Sequence, residues 1–258
     1  MIDIESVRGD LARRGPFWTI ELVEECDSTS SLLMERARGG GTPQTVVVAG
    51  RQRAGRGRRG RSWLAPPEGS LAFSLLWESG RAGTLFGLLP LAAGVACARA
   101  LEALGVRDLR LKWPNDLMLP AGKAGGILAE SVLRGHAARL VIGVGLNLSG
   151  GARLSAELGR EVADLESVCP DINREQVLVG VLVEMRRVLS DFEAGRDGEI
   201  IQAWGGYDVL RDREVEVLAS GAPLRGIARG VAADGALRLD TADGAKVVYA
   251  GEASIACA

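Results

Sequence analysis

The sequence predicts an α+β fold: a mixed β-sheet packed by helices, with a small β-barrel appended at the C-terminal end. Three observations carry this expectation. β-branched runs alternate with segments of helical period as far as Gly206. From Arg213 onward, short β-like runs follow one another with no helical signal. The length of 258 residues, 47% hydrophobic and 25% charged, suits one large domain or a large domain with a small one. The expected division is residues 1–206 and 207–258.

In chain order, residues near Ile4 to Arg13 read as a short helix and Phe17 to Val23 as a strand. The run Asp27-Ser28-Thr29-Ser30-Ser31 offers N-caps for a helix over Leu32 to Arg38, which Gly39-Gly40-Gly41 ends. Thr45 to Ala49 and Ser70 to Trp77 are strands flanking a Gly/Arg loop. Leu88, Leu91, Val95 and Ala98 recur at helical spacing within Leu85 to Leu104. Leu109–Trp113 and Leu117–Leu119 are short strands split by Pro114-Asn115-Asp116. Gly126–Leu133 and Arg139–Leu148 are long strands joined by a turn near Gly135. Asn173 and Gln176 have capping-box spacing for a helix to about Phe192. Asp234-Gly235 and Asp243-Gly244 mark hairpins in the C-terminal part.

Composition narrows the chemistry. Of 31 basic residues only Lys112, Lys123 and Lys246 are lysine, and His136 is the single histidine. A His base or a His-rich metal site has almost nothing to draw on. The net charge of −2 gives no global field for nonspecific nucleic-acid binding. Cys26, Cys97, Cys169 and Cys257 are far apart and form no C-x-x-C pair, so buried reduced thiols are expected rather than zinc ligands. The N-terminus has no signal-peptide pattern. The uncharged stretch Ala82–Ala98 reads as a buried helix rather than a membrane span. A cytoplasmic protein without a membrane anchor is expected.

Four motifs could carry chemistry. Arg51 to Arg61 places six arginines among three glycines and leads into Trp63. Its glycines let backbone N–H groups approach an anion, and its guanidinium groups match phosphate or carboxylate oxygens. Such a loop repels itself when empty and is expected to be mobile until an anion binds. Lys112-Trp113-Pro114-Asn115-Asp116 puts a lysine, an aromatic and two hydrogen-bonding side chains in one turn. Gly122-Lys123-Ala124-Gly125-Gly126-Ile127-Leu128-Ala129-Glu130 sets a lysine just before a strand. Gly143-Val144-Gly145-Leu146-Asn147 is a strand with glycines where something approaches. Taken singly, the last three also read as a capped turn, a surface lysine and a satisfied buried Asn.

Their order and spacing together, with Asp27-Ser28-Thr29 and Gln52 ahead of them, resemble the biotin protein ligases over nearly the whole chain. The resemblance implies a class II aminoacyl-tRNA-synthetase-like catalytic domain followed by an SH3-like C-terminal domain. It implies activation of biotin by MgATP to biotinoyl-5′-AMP. Transfer to one lysine of a biotin carboxyl carrier domain of a carboxylase then follows. By the same resemblance Ser28, Thr29, Ser30 and Gln52 meet biotin. Gly55, Arg56, Gly57 and Arg58 belong to the loop over biotin and the adenylate phosphate. Arg58, Arg59, Trp63, Lys112, Asn115 and Asn147 fall toward the nucleotide. Lys123 lies beside the reacting carboxylate and touches both substrates. Lys123, Arg56 and Asp116 are the catalytic candidates, with Asp116 orienting or deprotonating the carrier amine. The Mg2+ ligands are not implied.

The chain departs from the family pattern at Ser30, where Asn is usual; Ser30 either shifts one contact or caps the helix. Ala124 and Gly125 replace a bulkier residue and alanine. Only 26 residues precede Asp27, too few for a winged helix-turn-helix, so no DNA partner is expected. A homodimer through Arg139–Leu148 is a further expectation. The rival functions are a biotin-responsive repressor, a lipoate- or octanoate-transferring relative, and a protein that only binds biotin and ATP.

Overall fold

Strands Thr19–Cys26 (β1), Thr45–Gln52 (β2), Ser70–Ser79 (β3), Arg110–Lys112 (β4), Asp116–Leu119 (β5), Gly122–Arg134 (β6) and Ala137–Asn147 (β7) make one sheet. Their order is β1-β2-β3-β7-β6-β5-β4. Only β1 and β2 are parallel, so the sheet is mixed as expected. The computed structural model describes residues 2–256 apart from residues 16, 67, 82, 135, 136, 220 and 221. The expected turn near Gly135, the lone His136 and Cys257 therefore lie outside the described residues.

Among the described residues six α-helices accompany the strands: Ile4–Arg13 (α1), Thr29–Gly39 (α2), Leu89–Ala103 (α3), Gly151–Leu158 (α4), Arg174–Glu193 (α5) and Asp197–Tyr207 (α6). Helix α2 starts three residues before the expected Leu32 because Ser28 caps it, its hydroxyl accepting the Ser31 N–H at 3.4 Å. Asn173 caps α5 by accepting the Gln176 N–H at 2.9 Å. Helices α4 and α6 are not legible in the sequence. Glycines at 151, 198, 205 and 206 dilute their helical propensity, and burial of Leu154, Ile200 and Trp204 holds them instead. Strand β1 begins at Thr19 rather than Phe17. Phe17 and Trp18 pack their rings on Trp77 at 5.8 and 6.1 Å, and the Trp18 indole N–H donates to the Leu182 carbonyl.

The two faces of the sheet are covered unequally. On one face Val46, Val48, Leu75 and Ile142 join the main core with α1, α3 and α5. The apolar stretch read as a core helix is α3; its span Phe86–Ala103 is long and apolar enough to cross a membrane, but 67% of it is buried in the protein. On the other face Val47, Leu76 and Val141 form a smaller cluster with Leu33, Met34 and Ala37 of α2. Beyond α2 that face is open, and the functional site lies there. Strand β7 is hydrogen-bonded to β3 on one side and β6 on the other. It is therefore an interior strand and not the dimer edge expected of Arg139–Leu148; both of its backbone edges are already used. Among the described cysteines, all free, Cys97 is fully buried and its thiol is pushed up to about 12. Cys26 and Cys169 are only partly buried, because they sit at a strand end and in a loop.

The C-terminal strands are Glu214–Leu218 (β8), Leu224–Val231 (β9), Leu237–Thr241 (β10), Gly244–Val248 (β11) and Glu252–Ile255 (β12). They form an antiparallel sheet in the order β11-β10-β9-β8-β12. Its two end strands are not paired with each other, so the expected closed barrel is an open five-stranded sheet. Val215, Val217, Ala228 and Leu237 share one apolar cluster with the first sheet's core. Trp113, 1% exposed, bonds this sheet directly, its indole N–H donating to the Gly235 carbonyl at 3.0 Å. The motif tryptophan thus anchors the second sheet.

Two predictions follow from this junction. Trp113→Ala removes a fully buried ring, so it should destabilise the protein by about 3–5 kcal/mol in urea unfolding. Asp208, between α6 and β8, has one buried oxygen without a hydrogen-bond partner, while Leu210 donates its N–H to the other at 2.9 Å. Burial pushes its carboxyl up from 3.8 to about 6. The folded state therefore favours the protonated acid, and this contribution to stability, full below pH 4, is lost as pH rises toward 6. Asp208→Asn should have a Tm that gains on wild type by several degrees between pH 4 and 7, the order expected for about 1 kcal/mol or more. A Tm difference independent of pH would contradict this.

Candidate active site

The open face of the sheet holds a cavity of about 330 Å3. Its floor comes from the strand pattern. Ser74, Gly126, Leu128, Gly143 and Gly145 fall on the same face of the sheet as α2, since side chains alternate along each strand. The register sets Gly126 beside Gly145, and Leu128 and Ser74 on either side of Gly143. The glycines leave bare backbone where other groups come close. A Cβ on Gly145 would stand 2.4 Å from the Trp63 ring, and one on Gly143 would stand 2.3 Å from the Ser30 hydroxyl.

One end of the cavity is neutral and polar. The Thr29 N–H and hydroxyl both donate to the Gln52 side-chain carbonyl, at 2.8 and 3.2 Å. The Ser74 hydroxyl bonds Thr29 Oγ1 at 2.7 Å and Ser30 Oγ at 2.9 Å. Ser28 caps α2, so Ser30 is not the cap but a member of this hydroxyl cluster. Ser74, fully buried, was not singled out by the sequence. Its only signal was a serine at an inward position of an otherwise apolar strand.

The other end is cationic. The cavity is lined by Arg56, Arg58, Arg59, Arg61, Lys112, Lys123 and Arg160, against only Asp116, Glu161 and Glu252. Lys123 Nζ is 2.5 Å from Asp116 Oδ1, and Lys112 Nζ is 3.6 Å from Asp116 Oδ2. Two of the three lysines thus meet on one carboxylate. Asn115 ties this turn to β6 by donating to the Ile127 carbonyl at 2.7 Å, while its own oxygen accepts from Arg58 at 3.4 Å.

The arginine loop folds back on itself. The Trp63 N–H donates to the Gly55 carbonyl and the Gly57 N–H to the Arg61 carbonyl, at 2.8 and 2.7 Å. Its expected self-repulsion is offset from several elements. Arg56 grips Glu130 of β6 with both terminal nitrogens, at 2.7 and 3.0 Å. Arg61 pairs with Glu252 of β12, Arg53 with Asp27, and Arg59 donates to the Leu218 carbonyl. Arg58 has no carboxylate partner; burial first, then the neighbouring Arg59, pushes its guanidinium below its usual range. Arg61, with Lys112 and Lys123 adding to its effect, holds the Glu252 carboxyl below its usual range. Glu130 closes the Lys123 motif without a role legible there, and Gly251 and Glu252 carry no local signal, since only the fold brings these residues to the loop.

Trp63 stands over the Gly126–Gly145 pair with its ring centroid 5.7 Å from Lys123 Nζ. Its indole N–H is buried and has no hydrogen-bond partner among the described residues. Two candidates lie beneath the lining rather than on it. Gly55 faces the Trp63 carbonyl, which would meet a Cβ at 2.4 Å. Asn147, 3% exposed, donates to the Lys123 and Ala163 carbonyls at 3.2 and 3.1 Å. It fixes the backbone that carries Lys123 and does not reach the cavity. Among the described residues no group of three His, Cys, Asp or Glu side chains could hold a metal ion.

Comparison with known proteins agrees with this architecture. Residues 24–147 match the biotin/lipoate A/B protein ligase family, and residues 212–255 match the biotin protein ligase C-terminal domain. The bifunctional ligase/repressor BirA of Salmonella typhimurium is 33% identical over 239 residues, covering 92% of this chain and 74% of that protein. The biotin–[acetyl-CoA-carboxylase] ligase of Mycobacterium tuberculosis is 31% identical over 258 residues, covering 97% and 94%. A biotin protein ligase from Aquifex aeolicus, solved with biotin and ATP, superposes with a TM-score of 0.77 at 30% identity, covering 93% of this chain and 99% of that one. Matched along nearly its whole length in both sequence and fold, this chain belongs to the biotin protein ligase family.

Proposed function

We propose that this chain joins biotin to AMP and passes the biotinoyl group to a lysine of a biotin carboxyl carrier domain, as a biotin–[biotin carboxyl-carrier protein] ligase. The observation that carries this reading is a single cavity with a neutral hydroxyl and amide end, a cationic end, and Lys123 on Asp116 between them. The neutral end, Ser28, Thr29, Ser30 and Gln52 backed by Ser74, suits the urea group of biotin; an apolar lipoyl ring would leave those groups unpaired. The cationic end suits a triphosphate. Trp63 offers a planar face for the adenine ring.

In the first step a biotin carboxylate oxygen attacks the α-phosphorus of ATP and pyrophosphate leaves. Two anions must approach each other. Lys123, Arg56 and Arg58 offset that repulsion and stabilise the charge on the phosphorus oxygens. Arg56 must exchange part of its grip on Glu130 for the ligand. Mg2+ bound with the nucleotide would offset phosphate charge and would ask for few ligands from the chain, which fits the lack of a carboxylate cluster among the described residues. In the second step the carrier amine attacks the acyl carbon and AMP leaves. Asp116 already shares its oxygens between Lys112 and Lys123, so we assign it first to positioning those ammonium groups and then to orienting the amine. No covalent enzyme intermediate is required.

We also propose residues 1–206 as the catalytic unit and residues 207–258 as an SH3-like unit whose Gly251 and Glu252 close the cationic end. The family chemistry belongs to the cytoplasm, where ATP and the carrier are found. The deciding assay incubates the protein with biotin, MgATP and an apo carrier domain and follows pyrophosphate release and carrier biotinylation. Wild type should give both; binding of biotin and ATP without pyrophosphate release would refute the reading. Lys123→Ala should lower the adenylation rate by roughly 10²–10³-fold with the fold intact, as for loss of a donor at a developing charge. A rate near wild type would remove Lys123 from the mechanism.

A further inference from the structure

Among the seven cations that line the cavity, six already have protein partners. Arg56 and Arg61 are paired with glutamates, Lys112 and Lys123 share Asp116, and Arg58 and Arg59 donate to neutral oxygens. Arg160 is exposed and has no hydrogen-bond or ion-pair partner among the described residues.

Its mounting is not that of a loose surface residue. The segment after α4 runs beside the start of β6. Lys123 and Val162 form a parallel bridge, the Lys123 N–H donates to the Glu161 carbonyl at 3.4 Å, and the Ala163 N–H donates to the Lys123 carbonyl at 3.0 Å. The Ser155 hydroxyl holds both the N–H and the carbonyl of Val162, at 2.9 and 3.1 Å. Gly122, at φ +132°, lets the two backbones meet; a Cβ there would stand 2.7 Å from the Glu161 backbone. Arg160 directly precedes Glu161 and is therefore carried on the same backbone frame as Lys123.

We propose that Arg160 binds the β- and γ-phosphates of the nucleotide and stabilises pyrophosphate as it leaves. This rests on the adenylating reading above. As the biotin carboxylate oxygen forms its bond to the α-phosphorus, the bond from that phosphorus to the α–β bridging oxygen breaks, and its electron pair stays on that oxygen. Lys123, Arg56 and Arg58 are assigned to the α-phosphate, and among the described lining residues Arg160 is the cation with no protein partner to release before it meets the leaving pyrophosphate. A planar guanidinium suits two phosphate oxygens at once.

The test separates the two half-reactions. Arg160→Ala should raise the KM for ATP and weaken inhibition by added pyrophosphate by about tenfold or more, the scale of one lost charge-assisted contact. Affinity for biotin, and carrier biotinylation from preformed biotinoyl-5′-AMP, should stay at wild-type values. Arg160→Lys should recover part of the loss. Unchanged ATP and pyrophosphate constants would overturn the proposal. So would an equal loss in transfer from the preformed adenylate, which would place Arg160 on AMP. Calorimetric titration of magnesium pyrophosphate into wild type and Arg160→Ala reads the same contact without turnover. It therefore distinguishes failure of this assignment from failure of the adenylation reading, which would show as a wild-type protein that makes no adenylate.

Discussion

The site depends on two glycines lying side by side. Gly126 and Gly145 are register neighbours on β6 and β7; the Trp63 ring rests where a side chain at 145 would be and lies in ordinary contact over Gly126. No other residue fits at 145 without displacing the ring. Close packing there fixes where the arginine loop ends. It also sets how its guanidinium groups fan across the cavity and how near the ring comes to Lys123. An interior of this density does not absorb a methyl group by small shifts. The same device operates one row away, where Gly143 makes room for the Ser30 and Ser74 hydroxyls. The bare strip runs under the whole site, and both of its ends are built on it.

Charge is the second constraint. The chain as a whole is slightly acidic, yet the cavity gathers seven cations and three carboxylates. Without partners the arginine loop would repel itself. Glu130, Glu252 and Asp116, each delivered by a different strand, hold Arg56, Arg61 and the two lysines respectively in place while leaving a positive surplus. Glu252 comes from the C-terminal sheet, so that sheet is part of the wall. Trp113 bonds the two sheets together from inside the motif that supplies Lys112, Asn115 and Asp116. Building the site and docking the second sheet are therefore one structural event.

Much of this was legible in the sequence because its causes are local. The Gly/Arg loop, the two lysines beside short strands and the paired glycines announce close approach and anion binding in residue type alone. Ser28 and Asn173 cap helices as their spacing suggests. What was not legible depends on the fold. Ser74, Glu130 and Glu252 are ordinary residues until the fold brings them beside Thr29, Arg56 and Arg61. Asn147 and Trp113 sit in the right motifs, but Asn147 turns its amide to backbone and Trp113 turns its ring to the second sheet. Helices α4 and α6 form despite glycines because their apolar residues find a core. The strand read as a dimer edge is interior, because its apolar run reflects neighbours on both sides rather than an exposed border.

The most direct test of this account is Gly145→Ala. Calorimetric titration of a non-hydrolysable ATP analogue, beside a biotin titration and a thermal melt, reads the ring's seat separately from the hydroxyl end and the fold. The added methyl should unseat Trp63 and weaken nucleotide binding by about tenfold or more, on the scale of overpacking a dense interior. Biotin affinity should change far less and the protein should stay folded. Nucleotide affinity equal to wild type in a folded Gly145→Ala protein would contradict the claim that the site is built on this bare pair of strands.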